Sequence, residues 1–173
     1  MFFSLHTIAY EEVDIDELIE KYSKQLMRLC YLYLKDYQLA EEAVQDTLYK
    51  AYKKYYSFRR ESSEKTWITR IAINICKDYM RKSSYKEITD NSSFSSIYAL
   101  EDEELSVYAN EDSLELLNAV YTLPIKYREV ILLHYYEELS IKEIADSLRE
   151  KPNTISVRLR RAKEIMKDIL RED

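Results

Sequence analysis

The stretch SIKEIADSLREKPNTISVRLRRAKEIM, residues 140–166, decides the fold of the C-terminal half of the chain. It opens with a capping box, Ser140 followed three positions later by Glu143, and apolar residues at helical spacing, which predict a short helix. A break at Pro152 follows, and a longer helical period begins at about Asn153. A short helix, a turn and a longer basic helix are typical of a helix-turn-helix.

The longer helix presents a basic face over its N-terminal half, where the recognition helix of such a motif contacts bases. An Arg there can donate to a guanine edge while neighbouring cations contact phosphates. An ordinary solvated face explains four Arg or Lys residues within six positions less well. The residues predicted to contact duplex DNA are Thr154, Ser156, Val157, Arg158, Arg160, Arg161 and Lys163.

Five further helices are predicted from apolar periodicity. They begin at about Asp14, Leu39, Ser62, Leu114 and Ile125, and the last is expected to run to Glu137. The third of them carries Arg70, Asn74, Lys77 and Arg81 on one stripe, at i, i+4, i+7 and i+11. This stripe suits a polyanion backbone, although its spacing alone fits an ordinary solvated face at least as well.

Aromatic and basic residues alternate around the start of this helix. Aromatic rings among cations are typical of surfaces that bind unstacked, single-stranded bases. The aromatic residues are Tyr55, Tyr56, Phe58 and Trp67, and the basic residues beyond the stripe are Arg59, Arg60, Lys65 and Lys82.

The composition supports an all-helical protein and excludes several kinds of site. The chain has 173 residues, no glycine and two prolines. Glycine-rich loops that hold nucleotide phosphates are therefore excluded. Cys30 and Cys76 lie in apolar segments, away from both histidines in the sequence, and are predicted to be reduced core residues. No metal, no cofactor and no catalytic residue is expected.

The net charge of −6 is unevenly distributed. Residues 87–117 carry nine acidic and no basic groups, whereas the segments on either side are close to neutral. Serine enrichment and the missing period predict a linker. Its acidity fits the solvation of a disordered tether, and mimicry of nucleic acid in a basic channel of a larger partner is the alternative.

The prediction is therefore an all-α protein of two small helical domains, residues 1–86 and 113–173, joined by a flexible acidic linker, residues 87–112. The second domain contains the helix-turn-helix. The N-terminus lacks the pattern of a signal peptide, and no stretch approaches the roughly 20 apolar residues of a membrane span. A cytoplasmic protein is expected.

Two motifs resemble the extracytoplasmic-function sigma factors of bacterial RNA polymerase. AEEAVQDTLYKAYKKYYSFRRESSEKTWITRIAINICKDYMRK, residues 40–82, resembles the region that binds core polymerase and recognises the minus-10 element. LPIKYREVILLHYYEELSIKEIADSLREKPNTISVRLRRAKEIM, residues 123–166, is similar to the region that recognises the minus-35 element. The resemblance implies a dissociable transcription initiation factor, active in stress responses, that performs no chemistry itself.

Matched position by position, the resemblance also implies site residues and partners. The residues implied to dock on core polymerase are Glu42, Gln45, Asp46 and Tyr49. The residues implied to bind minus-10 DNA are Arg59, Arg60, Ser62, Lys65, Trp67, Arg70, Asn74, Lys77 and Arg81. The duplex-contacting residues of the last helix take the minus-35 role. The implied partners are core RNA polymerase, promoter DNA and an anti-sigma factor, often membrane-bound, with no small-molecule substrate.

The chain departs from the family in the turn of the helix-turn-helix. Family members usually have glycine at the positions of Arg149 and Asn153, and Asn tolerates a positive φ better than most residues. Val157 offers only apolar contact, for instance to a thymine methyl group. The alternative left open is a stand-alone helix-turn-helix repressor or activator. Such proteins usually dimerise on half-sites about one helical turn apart, and no dimerisation segment is recognisable in this sequence.

Overall fold

The computed structural model describes residues 13–82 and 111–171, and all regular secondary structure in these ranges is helical. The helices are α1 (Ile15–Leu34), α2 (Tyr37–Lys54), α3 (Glu64–Arg81), α4 (Glu111–Thr122), α5 (Ile125–Ile131), α6 (Ile141–Leu148) and α7 (Pro152–Ile169). A 3₁₀ turn, Tyr55–Ser57, follows α2, and a π-helical turn, Leu132–Tyr136, follows α5. The all-α prediction is confirmed. The predicted linker, residues 87–112, lies outside the described residues except for its last two, which begin α4.

Caps support three of the predicted helix starts, whereas the helices predicted from about Leu39 and Leu114 begin at Tyr37 and Glu111. The Asp14 carboxylate accepts a backbone N–H in the first turn of α1 at 3.0 Å, and Ser63 Oγ accepts from Thr66 N at 3.0 Å before α3. The capping box of α6 is complete, because Glu143 N donates to Ser140 Oγ at 3.3 Å and Ser140 N donates to Glu143 Oε2 at 3.0 Å. Each cap satisfies N–H groups that the helix itself leaves unpaired.

The helices form two units, which we call the N-terminal unit (α1–α3) and the C-terminal unit (α4–α7). Their cores join into one apolar cluster across the boundary between them. Cys30 and Cys76 are free and fully buried, as predicted for core residues. A hydrogen bond to Cys30, reinforced by burial, raises the pKa of the Cys76 thiol well above its ordinary value. None of the described helices is both long and apolar enough to cross a bilayer.

The helix predicted from Ile125 to Glu137 is not uniformly α-helical. α5 ends at Ile131, and the chain widens so that Glu137 N donates to Leu132 O at 2.9 Å, a spacing of five residues. The extra residue shifts the phase of the side chains that follow. Glu137, predicted as the end of an ordinary helix, is thereby buried against the N-terminal unit.

The turn between α6 and α7 adopts a left-handed conformation without glycine. Arg149 has φ 56° and ψ 44°, at the position where the family usually has glycine. Asn153, the other such position, does not use its tolerance of positive φ, because it lies in the first turn of α7. α7 begins one residue earlier than predicted, with Pro152 at a first-turn position that needs no N–H donor.

Replacing Arg149 by glycine is expected to stabilise the protein. The left-handed conformation costs a residue with a Cβ about 1 to 2 kcal/mol, and glycine avoids this while losing more chain entropy on folding. Arg149→Gly should therefore raise the free energy of unfolding by roughly 0.5 to 1 kcal/mol, measured by urea denaturation with far-UV circular dichroism. The matched control Arg160→Gly, inside α7, should lower it by about 1 kcal/mol. A loss of stability in Arg149→Gly equal to that of the control contradicts the assignment.

Candidate nucleic-acid interface

α7 presents most of the predicted duplex-contacting residues to solvent. Ser156, Val157, Arg160, Arg161 and Lys163 are exposed, and Thr154 is half-buried. Within the described part of the chain, Arg160 forms no ion pair, and Arg161 pairs at 3.1 Å with Glu164 at the surface. An exposed ion pair of this kind is weak, so both guanidinium groups are available to a ligand.

Arg158 differs from the other cations of α7. Its Nη2 donates to Glu150 Oε1 at 2.7 Å, and its Nη1 lies 3.6 Å from Glu129 Oε1 on α5. The side chain is only 23% exposed. Two carboxylates therefore hold this predicted DNA contact against the body of the C-terminal unit.

The four residues predicted to dock on core polymerase share one face of α2. Glu42, Gln45, Asp46 and Tyr49 are all exposed, and 58% of Tyr49 is accessible. Asp46 Oδ2 accepts a hydrogen bond of 2.7 Å from Tyr79 on α3, which orients the carboxylate. Tyrosine is enriched at protein interfaces, so the exposed Tyr49 ring suits a protein partner.

The aromatic residues around the start of α3 form a cluster. Trp67 stacks on Phe58 with ring centroids 5.0 Å apart, and Tyr55 meets Trp67 edge to face at 6.0 Å. Tyr56 stands outside the cluster with 72% of its surface exposed. Tyr55, Phe58 and Trp67 therefore pack on one another, whereas the Tyr56 ring is accessible to a ligand. The neighbouring basic residues Arg59 and Arg60 are exposed, Ser62 is half-buried, and Arg60 has φ 56°.

Glu64 connects this region to α1 and was not among the predicted site residues. Its carboxylate accepts from Lys21 Nζ at 2.7 Å, from Tyr22 Oη at 2.5 Å and from Tyr55 Oη. Burial raises the pKa of the Glu64 carboxyl, but the three hydrogen bonds outweigh burial and the pKa lies below its ordinary value. The sequence signal was a Glu directly after the Ser63 cap, but its partners lie on α1 and in the 3₁₀ turn.

The stripe on α3 is only partly open to solvent. Asn74 and Arg81 are exposed, whereas Arg70 and Lys77 are half-buried against the C-terminal unit. Arg70 Nε donates to Ser147 Oγ on α6 at 2.9 Å. Lys77 Nζ lies 3.2 Å from Glu129 Oε2 on α5. The predicted stripe therefore exists as a row of side chains, but the second unit covers two of its three cations.

Two carboxylates on the C-terminal unit, Glu129 and Glu137, meet Lys77 and Lys65 of α3, and sequence reasoning missed both. Glu129 and Glu137 are buried, and Glu137 Oε2 accepts from Gln25 Nε2 and from Thr69 Oγ1 at 3.4 Å, with Lys65 Nζ at 3.7 Å. Burial raises the pKa of Glu137 above its ordinary value, although Lys65 and the hydrogen bonds oppose this. Charged residues on an otherwise apolar helix were the available signal.

The two units match two family models. The model for Sigma-70 region 2 matches residues 18–85, and the model for Sigma-70, region 4 matches residues 113–166. Together these matches define a sigma factor of the sigma-70 type.

Similar curated proteins narrow the family further. The chain is 31% identical over 171 residues to the ECF RNA polymerase sigma factor SigW of Bacillus subtilis, covering 90% of this chain and 88% of SigW. It is 29% identical to the RNA polymerase sigma-H factor of Pseudomonas aeruginosa, covering 86% of this chain and 82% of that protein. The chain belongs to the extracytoplasmic-function (ECF) sigma factors.

A solved structure agrees with this assignment. The sigma factor RpoE from Bartonella quintana, in complex with the anti-sigma factor NepR, matches with a TM-score of 0.73 and 25% identity, over 92% of this chain and 98% of that one. The protein is thus a transcription initiation factor that directs RNA polymerase to promoters, and core polymerase and promoter DNA are its partners. The predicted family and function are confirmed, and the roles of individual residues stay predictions.

Replacing Glu64 by glutamine should remove a pH-dependent part of the stability. A carboxylate whose folded-state pKa is lowered stabilises the fold above its ordinary value of 4.5, and this contribution is lost as the pH falls through the folded pKa. Glu64→Gln should cost roughly 1 to 2 kcal/mol at neutral pH, because three hydrogen bonds lose the assistance of the charge. The measurement is the urea midpoint from about pH 7 down to about pH 3.

The exposed Glu61 supplies the control, since Glu61→Gln removes the same charge without these donors. The difference between wild type and Glu64→Gln should vanish in acid. A difference that persists unchanged at the lowest pH would show that the loss comes from packing and not from the carboxylate charge.

Proposed function

We propose that this sigma factor reads its promoter with two separate surfaces, the exposed side of α7 on duplex minus-35 DNA and the start of α3 on the unpaired minus-10 strand. The observation that carries the proposal is the exposed pair Arg160 and Arg161 on α7 of a helix-turn-helix. Arg can donate two parallel hydrogen bonds to a guanine in the major groove. Val157, 48% exposed beside them, offers an apolar contact to a thymine methyl group.

The minus-10 surface combines a base platform with an amide. Tyr56 is accessible for stacking, and stacking on an aromatic ring is worth about 1 to 3 kcal/mol per base. That gain offsets much of the cost of taking a base out of the duplex, a few kcal/mol. Asn74 lies exposed farther along α3, and its amide is suited to a base edge.

The α2 face of Glu42, Gln45, Asp46 and Tyr49 is the proposed contact with core polymerase. Its acidic character is opposite in sign to that of the DNA-reading surfaces, so the two partners can bind different sides of the N-terminal unit. The protein, on this proposal, contributes binding and strand capture in the cytoplasm and leaves nucleotide chemistry to the polymerase.

We also propose that an anti-sigma protein, anchored in a membrane or free, binds this chain as NepR binds RpoE. A groove of about 770 Å³ runs between α4, the π-helical turn and the end of α7. Its walls are almost entirely apolar, and Lys163, Lys167 and Arg171 line one side. An amphipathic helix with acidic residues along one edge fits this combination.

Tight promoter binding should require core polymerase. The protein has a net charge of −6, so its electrostatic attraction to DNA is weak without the polymerase. A gel shift on promoter duplex should show little complex with the isolated protein and a stable complex with the holoenzyme. Run-off transcription from the same DNA is the second measurement. Tight binding by the isolated protein that core polymerase leaves unchanged would favour the stand-alone repressor or activator instead.

Two alanine variants should separate the two reading surfaces. Arg161→Ala should cost roughly 1 to 3 kcal/mol of discrimination at the minus-35 element and leave minus-10 preference unchanged. Asn74→Ala should do the reverse, so each variant is the control for the other. The measurement is holoenzyme transcription from promoters varied at one element at a time. An equal loss on all sequences would reassign Arg161 to a phosphate contact and would remove the base-reading role of Asn74.

A further inference from the structure

The segment of residues 56–63, which we call the 56–63 loop, is closed by a side-chain hydrogen bond between its two ends. Tyr55 lies directly before the loop and Glu64 directly after it, nine positions apart, and Tyr55 Oη donates to Glu64 Oε2. The loop carries Tyr56, the proposed base platform, and three residues that are predicted to bind minus-10 DNA, namely Arg59, Arg60 and Ser62. One carboxylate therefore joins the two ends of a segment that is proposed to contact the unpaired strand.

Glu64 also fastens this closure to α1. Lys21 Nζ and Tyr22 Oη both donate to Glu64 Oε1, at 2.7 and 2.5 Å. The two carboxylate oxygens thus bind different elements, because Oε1 accepts from α1 and Oε2 accepts from Tyr55. Tyr22 is buried in the core, so the anchor that α1 provides is itself well fixed.

Tyr55 passes this constraint on to the loop through its ring. The ring meets Trp67 edge to face at 6.0 Å and Phe58 at the same centroid distance, and Phe58 stacks on Trp67 at 5.0 Å. Aromatic rings attract one another in such edge-to-face and stacked arrangements. Because Phe58 belongs to the loop and Trp67 to α3, the ring that Glu64 orients is part of what holds the loop on the helix.

The loop backbone requires this support. Arg60 has φ 56°, a left-handed conformation that a residue with a Cβ keeps only where the surrounding structure enforces it. A loop that is already held in its binding conformation does not lose that conformational freedom when the ligand arrives, so it binds more tightly than a loose one. Contacts beneath a binding surface therefore influence affinity without touching the ligand.

We propose that Glu64 is a positioning residue for the minus-10 surface, which acts through Tyr55 to hold the 56–63 loop in the conformation that receives the unpaired strand. Glu64 binds no DNA itself. This inference rests on the proposed function, because it requires that the loop contact the minus-10 strand.

The first test compares Tyr55→Phe with the matched control Tyr22→Phe. Each variant keeps its ring and removes one hydroxyl donor from the same carboxylate, but only Tyr55 borders the loop. Holoenzyme affinity for a fluorescent single strand carrying the minus-10 element should fall by about five- to tenfold in Tyr55→Phe, since a loop ordered in a tenth of the molecules lowers the apparent affinity tenfold. In Tyr22→Phe it should stay within about twofold of the wild type.

A variant series at position 64 separates positioning from general stability. Glu64→Ala should weaken strand binding at least as much as Tyr55→Phe, and Glu64→Gln, which keeps an acceptor, should recover most of that affinity. The double variant Tyr55→Phe/Glu64→Ala should bind no more weakly than Glu64→Ala, because both changes remove the same contact. Urea denaturation of each full-length variant shows whether affinity merely follows stability.

Intrinsic fluorescence provides a local measurement, because Trp67 is the only tryptophan of the chain. Its quenching by acrylamide should increase in Tyr55→Phe and in Glu64→Ala and should stay at the wild-type level in Tyr22→Phe. This signal follows the packing of Tyr55, Phe58 and Trp67, which a general loss of stability in a folded protein leaves unchanged.

Wild-type affinity in Tyr55→Phe, additive losses in the double variant, or losses that follow stability alone would overturn the positioning role. The proposed function would still hold in those cases, provided that the wild-type holoenzyme prefers the minus-10 strand to a scrambled strand. A wild-type holoenzyme without that preference would contradict the proposed minus-10 surface itself.

Discussion

The relative placement of the two helical units depends on charge buried between them. Arg128 is 3% exposed, and its guanidinium donates to Tyr121 O in its own unit at 3.0 Å and to Tyr33 O of α1 at 3.2 Å. The last carbonyls of a helix have no partner within it and carry the negative end of the helix dipole. α1 has no basic residue in its last turn, so a cation from the other unit caps it.

This dependence makes the interface specific, in addition to the apolar cluster that crosses it. Breaking a buried ion pair by removing one partner costs about 3 to 5 kcal/mol, but separating both partners into water returns their solvation. An apolar interface of the same size offers no such compensation when it opens. The polar groups at this boundary therefore satisfy one another in this structure, and water would satisfy them if the two units separated.

The sequence predicted what is determined within one or two helical turns. Caps such as Ser63 and Ser140, the helix-turn-helix and the exposed face of α7 depend on residues three or four positions apart, so the spacing suffices to find them. Periodicity identifies which side of a helix a residue is on, but not what packs against that side. Arg70 and Lys77 were correctly placed on one stripe, yet the partners that half-bury them lie 77 and 52 positions away.

The contacts that the sequence did not predict also join residues that are far apart in the chain. Glu64 gathers donors from residues 42 and 43 positions earlier, and Tyr33 meets Glu129 across 96 positions. The π-helical turn that buries Glu137 is a single extra residue in an otherwise regular apolar pattern, too small a change to alter the period. Sequence reasoning thus located the proposed DNA-reading helices and missed the carboxylates that pair with their cations.

The absence of glycine affects how rigid the turns between the helices are. Within the described residues, four non-glycine residues have a positive φ, namely Lys35, Arg60, Glu138 and Arg149. All four are charged and all lie between helices, so their long side chains can remain solvated while the backbone is strained. At about 1 to 2 kcal/mol each, they consume a sizeable part of a total stability of roughly 5 to 15 kcal/mol.

The strained residues restrict the conformations that these turns can adopt. Glycine samples both signs of φ about equally, whereas a residue with a Cβ reaches a left-handed turn only where the surrounding contacts enforce it. The turn at Lys35 shows such enforcement, because its carbonyl accepts from Tyr121 Oη at 3.4 Å and its ammonium group lies 4.4 Å from the Tyr121 ring. That contact crosses the boundary between the units. The C-terminal unit therefore supports a strained turn of the N-terminal unit, the α1–α2 connection.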